Sequence, residues 1–277
     1  MPSTVLITGT SSGIGRATAE RFHAGGWNVI ATMRSPQDAG SLTDLPNTLV
    51  TRLDVTDPQS IDEAIAQGMD RFGSIDALVN NAGFGAYGPL EITGTETIRR
   101  QFDTNVIGLL HVSRAVIPIM REQGTGVIVN ISSVGGRMAF PLGSLYHGSK
   151  FAVEGISEAL VYELEPFGIR VKIIEPGLVD TDFAGRSFVL SVDPEGGPYG
   201  ATVQSVLTAF AAVQQQGQGN ATDVADAIFA AAADASPQLR YIVGDDAKAT
   251  LGARQAMDDA AFIGMIRGNF GLATDRP

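Results

Sequence analysis

The sequence predicts an α/β fold in which a doubly wound parallel sheet of about seven strands carries helices on both faces. Three observations predict it. Short apolar runs rich in β-branched residues alternate with longer amphipathic stretches, which is typical of parallel strands joined by crossover helices. The first run, TVLIT, leads directly into a turn rich in glycine and serine. Polar side chains suited to binding or catalysis follow the ends of several runs, where such sheets bind their ligands.

Composition restricts the classes of protein to which the chain can belong. A length of 277 residues with 44% hydrophobic residues predicts one domain over residues 1–277 with a large core. A net charge of −11 argues against nucleic acid and anionic membranes as partners. No cysteine, signal peptide or membrane-spanning apolar run is found in the sequence, so we expect a cytoplasmic protein. The three histidines lie far apart, which predicts no metal site.

The apolar runs mark the predicted strands, and the amphipathic stretches mark the predicted helices. The strands are expected at Thr4–Thr8, Trp27–Met33, Thr48–Asp54, Ala77–Val79, Gly126–Ile131, Ile169–Glu175 and Leu239–Val243. The fourth is apolar throughout, as a buried parallel strand should be. Asp57 and Pro58 suit the N-cap and first position of a helix. The other helices are expected at about 14–25, Thr95–Arg121, Ser144–Pro166, Ala201–Gln216, Ala221–Ala235 and from Lys248 onward.

The glycine-rich turn lies between the first strand and the first helix. Glycine lets the backbone come close to a pyrophosphate, and the start of the helix offers unpaired N–H groups. The alternative is a tight strand-to-helix turn without a ligand. The position of the turn favours a dinucleotide site, with contacts expected from Gly9, Ser11, Ser12, Gly13, Ile14 and Gly15.

The end of the second strand bears on the choice of cofactor. Dinucleotide folds usually place an acid there, which holds the ribose 2′-hydroxyl. Here Met33 is followed by Arg34, and no acid is present. A guanidinium suits a 2′-phosphate, so the sequence predicts NADP(H), with NAD(H) less favoured. The alternative is an exposed arginine in a loop.

Further contacts are expected after the third and fourth strands. Asp54 and Val55 are placed to touch the adenine. The fourth strand runs into a stretch of small residues that lets the backbone lie against a ribose, formed by Asn80, Asn81, Ala82 and Gly83.

Tyr146 and Lys150 are predicted to be the reactive pair. In a helix that begins near Ser144 they lie one turn apart on one face. A free phenol has a pKa of about 10, and a nearby ammonium group lowers it towards neutrality, where acid–base catalysis is most efficient. Ser133 adds a hydroxyl for the same substrate oxygen. The alternative is a chance pairing of Tyr and Lys.

Two other stretches have more than one interpretation. Asn105 lies among apolar residues of a predicted helix, where it either belongs to the site or bends or caps the helix. Periodicity is lost from Asp182 to about Gly200. A loop this long is usually functional, and we expect residues 182–220 to form a substrate-binding loop and lid.

These motifs jointly resemble the short-chain dehydrogenase/reductase superfamily over about residues 3–181. The shared motifs are TGxxxGIG from Thr8, NNAG from Asn80, Ser133 with Tyr146 and Lys150, and Pro176-Gly177. ATMR, NNAGFGAYGPLE and SVGGRMAFP are similar to the group of 17β-hydroxysteroid and retinol dehydrogenases and their bacterial relatives. The resemblance implies a Rossmann fold and an oxidoreductase.

The resemblance also implies roles for individual residues. In the implied catalytic tetrad Tyr146 exchanges a proton with the substrate oxygen, Ser133 holds that oxygen, and Lys150 binds the nicotinamide ribose and lowers the tyrosine pKa. Asn105 is implied to anchor a water in the proton path. His147 is implied to be a pocket-wall or surface residue. The other implied cofactor contacts are Asn81, Ala82, Gly83, Pro176, Gly177, Val179 and Thr181.

The expected reaction is NADP(H)-dependent interconversion of a ketone or aldehyde with an alcohol. A non-catalytic NADP-binding regulatory protein on the same fold is the alternative, and a sugar-nucleotide epimerase or dehydratase is a third interpretation. The resemblance implies a homodimer or homotetramer, formed through the helices at Thr95–Arg121 and Ser144–Pro166. A bulky apolar substrate is predicted from residues that otherwise pack the core or the lid: Phe84, Tyr87, Phe140, Leu142, Leu145, Phe183 and Phe188.

Overall fold

The structure is a computed structural model that describes residues 2–180, 187–215 and 219–272, without the side chains of residues 213–215. In chain order its strands are β1 (Thr4–Thr8), β2 (Asn28–Met33), β3 (Thr48–Arg52), β4 (Ala77–Asn80), β5 (Gly85–Tyr87), β6 (Gly126–Ile131), β7 (Ile169–Pro176), β8 (Val179–Asp180), β9 (Phe188–Leu190), β10 (Gly219–Asn220) and β11 (Arg240–Val243).

Nine α-helices lie within the described residues. They are α1 (Gly13–Ala24), α2 (Pro58–Phe72), α3 (Thr95–Phe102), α4 (Leu109–Gln123), α5 (Ser144–Leu164), α6 (Gly200–Gln215), α7 (Ala221–Ala233), α8 (Asp245–Ala256) and α9 (Asp259–Asn269).

Seven parallel strands form the central sheet, in the order β11-β7-β6-β4-β1-β2-β3. The predicted doubly wound fold is therefore confirmed, with strand bounds within about two residues of those expected. The order reverses at β1, which pairs with β2 on one side and with β4 on the other. Such a reversal leaves a crevice at the carboxyl ends of the strands.

A π-helical segment, Asp103–Gly108, interrupts the helix expected at Thr95–Arg121 and separates α3 from α4. Side-chain periodicity does not reveal an extra residue in one turn, so the sequence did not predict this break. Such π segments are frequent at functional sites because they redirect a side chain out of the helical register. Here the redirected residue is Asn105.

Two apolar layers cover the faces of the sheet. Phe22 of α1 and Ile228 of α7 lie in one layer, while Ile61 of α2 and Val116 of α4 lie in the other, all essentially inaccessible to solvent. Burying an apolar side chain of this size stabilises the fold by about 1.5–3 kcal/mol. The two layers hold the sheet rigid behind its carboxyl edge.

A chain of buried polar side chains ties the sheet to the helices that carry the site. The Asn80 amide donates to Ser113 Oγ on α4 and to Asn130 Oδ1 on β6, each at 2.9 Å. Asn130 in turn donates to Ser157 Oγ on α5 at 2.9 Å. Losing one of these hydrogen bonds would leave a buried polar group unpaired and lower the stability of the fold by about 1–3 kcal/mol. This series of hydrogen bonds therefore fixes α4 and α5 relative to the central strands.

Within the described ranges, no helix is long and apolar enough to cross a membrane. The same ranges contain no group of three or more His, Cys, Asp or Glu residues placed to hold a metal ion.

Candidate active site

The carboxyl edge of the sheet opens into a cleft of about 710 Å³. It brings together most of the residues singled out from the sequence, although they come from six strands of the central sheet, from β5 and from the segments that follow these strands. The predicted residues that line it are Gly9, Ser11, Ser12, Gly13, Ile14, Gly15, Arg34, Asp54, Val55, Asn81, Ala82, Gly83, Phe84, Tyr87, Ser133, Phe140, Tyr146, Lys150, Pro176, Gly177 and Val179.

The other predicted site residues do not line the cleft or are not described, and Asn105 and Leu145 are among those that do not line it. Leu142 packs instead with the apolar cluster that includes Leu251 and Phe262 of the C-terminal helices, and its φ is positive at 64°. Phe188 stacks behind Tyr87. Thr181 and Phe183 lie outside the described residues.

The glycine turn has the shape needed to receive a pyrophosphate. Gly9 has φ +75°, a conformation that favours glycine. A Cβ on Gly15 would lie 2.1 Å from the Gly9 carbonyl oxygen and 2.5 Å from Asn81 Nδ2. Asn81 holds the turn closed, since its amide donates to Thr8 O at 2.8 Å and to Gly9 O at 3.1 Å. These residues fit a dinucleotide because the start of α1 lines the cleft and its glycines let the turn close tightly at that point.

Arg34 and Arg16 have different positions beside this turn. Arg34 is exposed at the end of β2, on the cleft wall, and has no ion pair or hydrogen bond to the residues that the structure describes. Arg16 is bound to the protein itself, donating to Ser11 O at 3.3 Å and to Ala39 O at 2.7 Å. The sequence analysis did not identify this arginine, because its bonding partners are main-chain carbonyl groups.

Ser133, Tyr146 and Lys150 meet at the floor of the cleft. The Tyr146 hydroxyl is hydrogen-bonded to the Ser133 side chain, and Ser133 Oγ also accepts from Gly135 N at 3.0 Å. Lys150 Nζ lies 5.8 Å from the centre of the tyrosine ring and donates to Ile131 O at 2.8 Å. The strand end of β6 therefore orients the lysine, while a turn after β6 orients the serine.

Burial has the larger effect on both titratable groups. It raises the pKa of Tyr146, and the hydrogen bond from Ser133 only partly opposes it. Burial also lowers the pKa of Lys150 to about 8, against the attraction of Glu154. Burial thus disfavours the charged form of each side chain. The role of Lys150 in lowering the tyrosine pKa remains a prediction.

Asn105 lies behind the floor rather than on the cleft surface. Its amide donates to Phe84 O at 2.8 Å and accepts from Phe84 N at 3.0 Å. It also donates to Ser149 Oγ on α5 at 3.2 Å. These bonds hold the segment after β4 against α5. The water-anchoring role that the resemblance implies remains a prediction.

An aromatic stack covers Tyr146. The ring of Tyr87 is stacked on that of Tyr146 with centroids 5.4 Å apart, and Phe188 is stacked on Tyr87 at 5.3 Å. Strands β5 and β9 form this contact by pairing in parallel outside the central sheet. Two strands of three residues each lack a periodicity that could be recognised in the sequence, and the pairing is long-range.

The C-terminal helices supply cleft residues that sequence analysis did not find. Phe210 on α6 and Phe270 after α9 line the cleft and contact each other at 5.5 Å between ring centroids. Asp246 at the start of α8 accepts from Leu178 N at 2.8 Å and so holds the segment after Pro176 and Gly177. No local motif marks these residues, because only tertiary packing brings them to the cleft.

Comparison with known proteins agrees with this geometry. A sequence model described as short chain dehydrogenase matches residues 3–189. The chain belongs to the short-chain dehydrogenase family. It is 42% identical over 245 residues to an uncharacterized oxidoreductase of Schizosaccharomyces pombe, covering 87% of this chain and all of that protein.

Other relatives cover a smaller or a larger share of this chain. Human 17-beta-hydroxysteroid dehydrogenase type 1 is 40% identical over 190 residues, covering 65% of this chain and 57% of that protein. A solved short-chain dehydrogenase from Streptomyces avermitilis is 35% identical, with a TM-score of 0.82 over 100% of this chain and 99% of that one. Further similar structures contain NAD in one case and NADP+ in another.

We predict that the carboxylate of Glu154 raises the pKa of Lys150 and so partly opposes the larger, lowering effect of burial. Replacing Glu154→Gln removes a negative charge one turn along α5, so the lysine pKa should fall below its value of about 8. The chain has three lysines, so the Nζ signal can be followed by NMR in lysine-labelled protein. Glu158→Gln is the matched control, since Glu158 also pairs with Arg240 but is exposed. An unchanged or higher lysine pKa in Glu154→Gln would contradict this assignment.

Proposed function

We propose that this chain is an NADP(H)-dependent oxidoreductase that interconverts a ketone or aldehyde with an alcohol on a bulky apolar substrate. The observation that carries the proposal is the hydrogen-bonded Ser133–Tyr146 pair, which opens into the same cleft as the glycine turn. A protein that only binds a nucleotide has no use for a buried phenol with an ordered hydroxyl partner and an amine beside it.

The side chains at the cleft floor divide the proposed chemistry among them. NADP(H) supplies the hydride donor or acceptor and, when oxidised, a positive charge. The Ser133 hydroxyl holds the substrate oxygen next to Tyr146 Oη. Tyr146 donates a proton to that oxygen during reduction and accepts one during oxidation. Lys150, oriented by Ile131 O, provides positive charge that favours the phenolate.

Arg34 supports NADP(H) over NAD(H). Its guanidinium is exposed on the cleft wall where an acid usually contacts the ribose 2′-hydroxyl. An arginine without a partner among the described residues has its donors available for a phosphate.

Replacing Arg34→Ala should weaken NADPH binding by about tenfold to 100-fold, because a charge-assisted bond to phosphate is lost. NADH binding should change by less than about threefold. Isothermal titration of both cofactors measures this. Arg52→Ala is the control, since Arg52 ends the neighbouring strand β3 but pairs with Asp57 outside the cleft. A wild type that prefers NADH would refute the assignment of NADP(H) as cofactor. It would not affect the proton transfer proposed for Tyr146 and Ser133.

Replacing Tyr146→Phe should lower turnover by about 100-fold or more, because the proton donor is lost while the ring remains. Initial rates with NADPH over a panel of aryl and alicyclic ketones measure it. Tyr162→Phe is the control on the same helix, where the side chain is 79% exposed. Turnover in Tyr146→Phe that stays near the wild-type rate would refute the mechanism. NADPH binding without turnover in the wild type would favour the regulatory alternative.

The wall opposite the nucleotide turn supports a bulky apolar substrate. Tyr87, Phe140, Phe210 and Phe270 line it, with His147 between them. Large aromatic walls suit a substrate with extended apolar surface. The lid over residues 182–220 remains part of this proposal. Its described part includes β9, which pairs with β5, and Tyr199, whose hydroxyl donates to Glu91 at 2.6 Å.

The exposed faces of the two helical regions named for assembly support a homodimer or homotetramer. Phe151 on α5 is 48% exposed and Ile107 in the π segment is 41% exposed. Where such apolar side chains form a contiguous exposed patch, the patch is typical of a subunit interface.

Replacing Phe151→Asp should therefore lower the sedimentation mass to that of a monomer, because a charge at the centre of the interface would be desolvated. Ile263→Asp on α9, where the side chain is 49% exposed, is the control. A wild type that sediments as a monomer, or a Phe151→Asp variant that keeps the wild-type mass, would refute this interface.

A further inference from the structure

The imidazole of His147 is held at both of its nitrogens by the main chain. The residue directly follows Tyr146 and is 3% exposed. Nδ1 lies 2.9 Å from Gly135 O, and Nε2 accepts from Phe140 N at 2.9 Å. Both partners belong to the loop between β6 and α5, which also carries Ser133. The two hydrogen bonds therefore hold this loop against α5, which is more than the packing of a side chain in the cleft wall.

These two partners determine the protonation state of the ring. A carbonyl oxygen only accepts hydrogen bonds and a backbone N–H only donates them. Nδ1 must therefore carry the hydrogen, and Nε2 must carry a lone pair. His147 is the neutral Nδ1–H tautomer, and no other state of the ring satisfies both bonds.

The loop is shaped around the ring. A Cβ on Gly135 would lie 2.6 Å from Nδ1, and a Cβ on Gly143 would lie 2.6 Å from Nε2. Any side chain at either glycine would displace the imidazole. The ring also contacts Phe140 at 5.5 Å and Tyr146 at 5.6 Å between centroids. We call the two hydrogen bonds of His147, to Gly135 O and from Phe140 N, the His147 clamp. The clamp joins the turn that carries Ser133, the cleft wall at Phe140 and helix α5, which carries Tyr146.

We propose that neutral His147 is a positioning residue that holds the Ser133 turn and the Phe140 wall in the substrate-binding geometry, and that its protonation releases the wall. The effect on turnover rests on the proposed function, whereas the clamp itself does not. Protonation would place an N–H at Nε2 against the Phe140 N–H. Two donors would then face each other without an acceptor, and the bond that holds the wall would be lost.

The surroundings of the ring set the direction of the pH dependence. The titratable groups that face it are the phenols of Tyr146 on α5 and Tyr87 on β5, and burial raises the pKa of both. The loop contributes main-chain groups and the Phe140 ring. Burial lowers the pKa of His147 below 6.5, opposed by the bond to Gly135. The clamp is therefore complete above pH 6.5 and is lost as the pH falls through the lower, folded-state pKa.

Nitrogen NMR of histidine-labelled protein tests the clamp without any substrate. The chain has three histidines, and His147→Gln assigns the signals of His147. We expect a protonated Nδ1 and an unprotonated Nε2 at neutral pH, with titration below pH 6.5. An Nε2–H tautomer, or titration at or above the ordinary histidine pKa, would overturn the proposal.

Steady-state kinetics test the consequence for the substrate. His147→Ala removes both bonds and should raise KM about tenfold at neutral pH, with a smaller change in kcat. His147→Gln offers a donor and an acceptor that do not titrate. It should restore KM to within about threefold of wild type and abolish the rise in KM that the wild type shows in acid. His23→Gln, on α1, should keep that rise.

The two experiments separate the failure of this proposal from failure of the proposed function. An unchanged KM in His147→Ala, or an acid rise in KM that persists in His147→Gln, would overturn the positioning role. A wild type without turnover on any carbonyl would refute the oxidoreductase proposal, and the tautomer would still decide whether the clamp exists.

Discussion

The site depends on one constraint, the reversal of strand order at β1 in an all-parallel sheet. Parallel strands all end at one edge, and the reversal sends the loops after β1 and β4 in opposite directions. The resulting crevice is closed at its base by Asn81, which bonds to the carbonyl groups of Thr8 and Gly9. The Thr8 hydroxyl accepts from the main chain of Asn81 and Ala82 in return, each at 3.0 Å. This contact holds together the part of the cleft that contains the glycine turn.

At the cleft floor, burial is the main influence on the protonation of Tyr146 and Lys150. Desolvation raises the pKa of Tyr146 and lowers that of Lys150 to about 8, so burial disfavours the charged form of each side chain. Positive charge that enters the cleft would shift this balance towards the phenolate. Ser133 orients Tyr146, and the carbonyl oxygen of Ile131 orients Lys150. A positively charged ligand in the cleft would add to the electrostatic stabilisation of the phenolate. Under the proposed function, this division would let the buried phenol of Tyr146 act as an acid or base near neutrality.

The substrate half is assembled from segments that are remote in sequence. Strand β9 is added to β5 and places Phe188 on Tyr87, whose ring lies on Tyr146. Each such aromatic contact contributes about 0.5–1.5 kcal/mol beyond burial. Phe210 and Phe270 approach from the C-terminal helices. Because Tyr87 contacts the Tyr146 ring directly, the geometry of this wall would govern, under the proposed function, both substrate shape and the position of the proton donor.

The sequence by itself determined the central sheet, the glycine turn and the residues that end each strand. Apolar runs, Gly9 to Gly15, Arg34 and the Tyr146–Lys150 spacing are local signals, and backbone sterics and strand periodicity act over a few residues. The tertiary structure decided the π segment that redirects Asn105, the β5–β9 pairing, the C-terminal side of the cleft and the two bonds of His147. It also placed Leu142 away from the cleft and raised the tyrosine pKa. These features depend on desolvation and on contacts between distant segments, and neither has a periodicity that the chain alone can reveal.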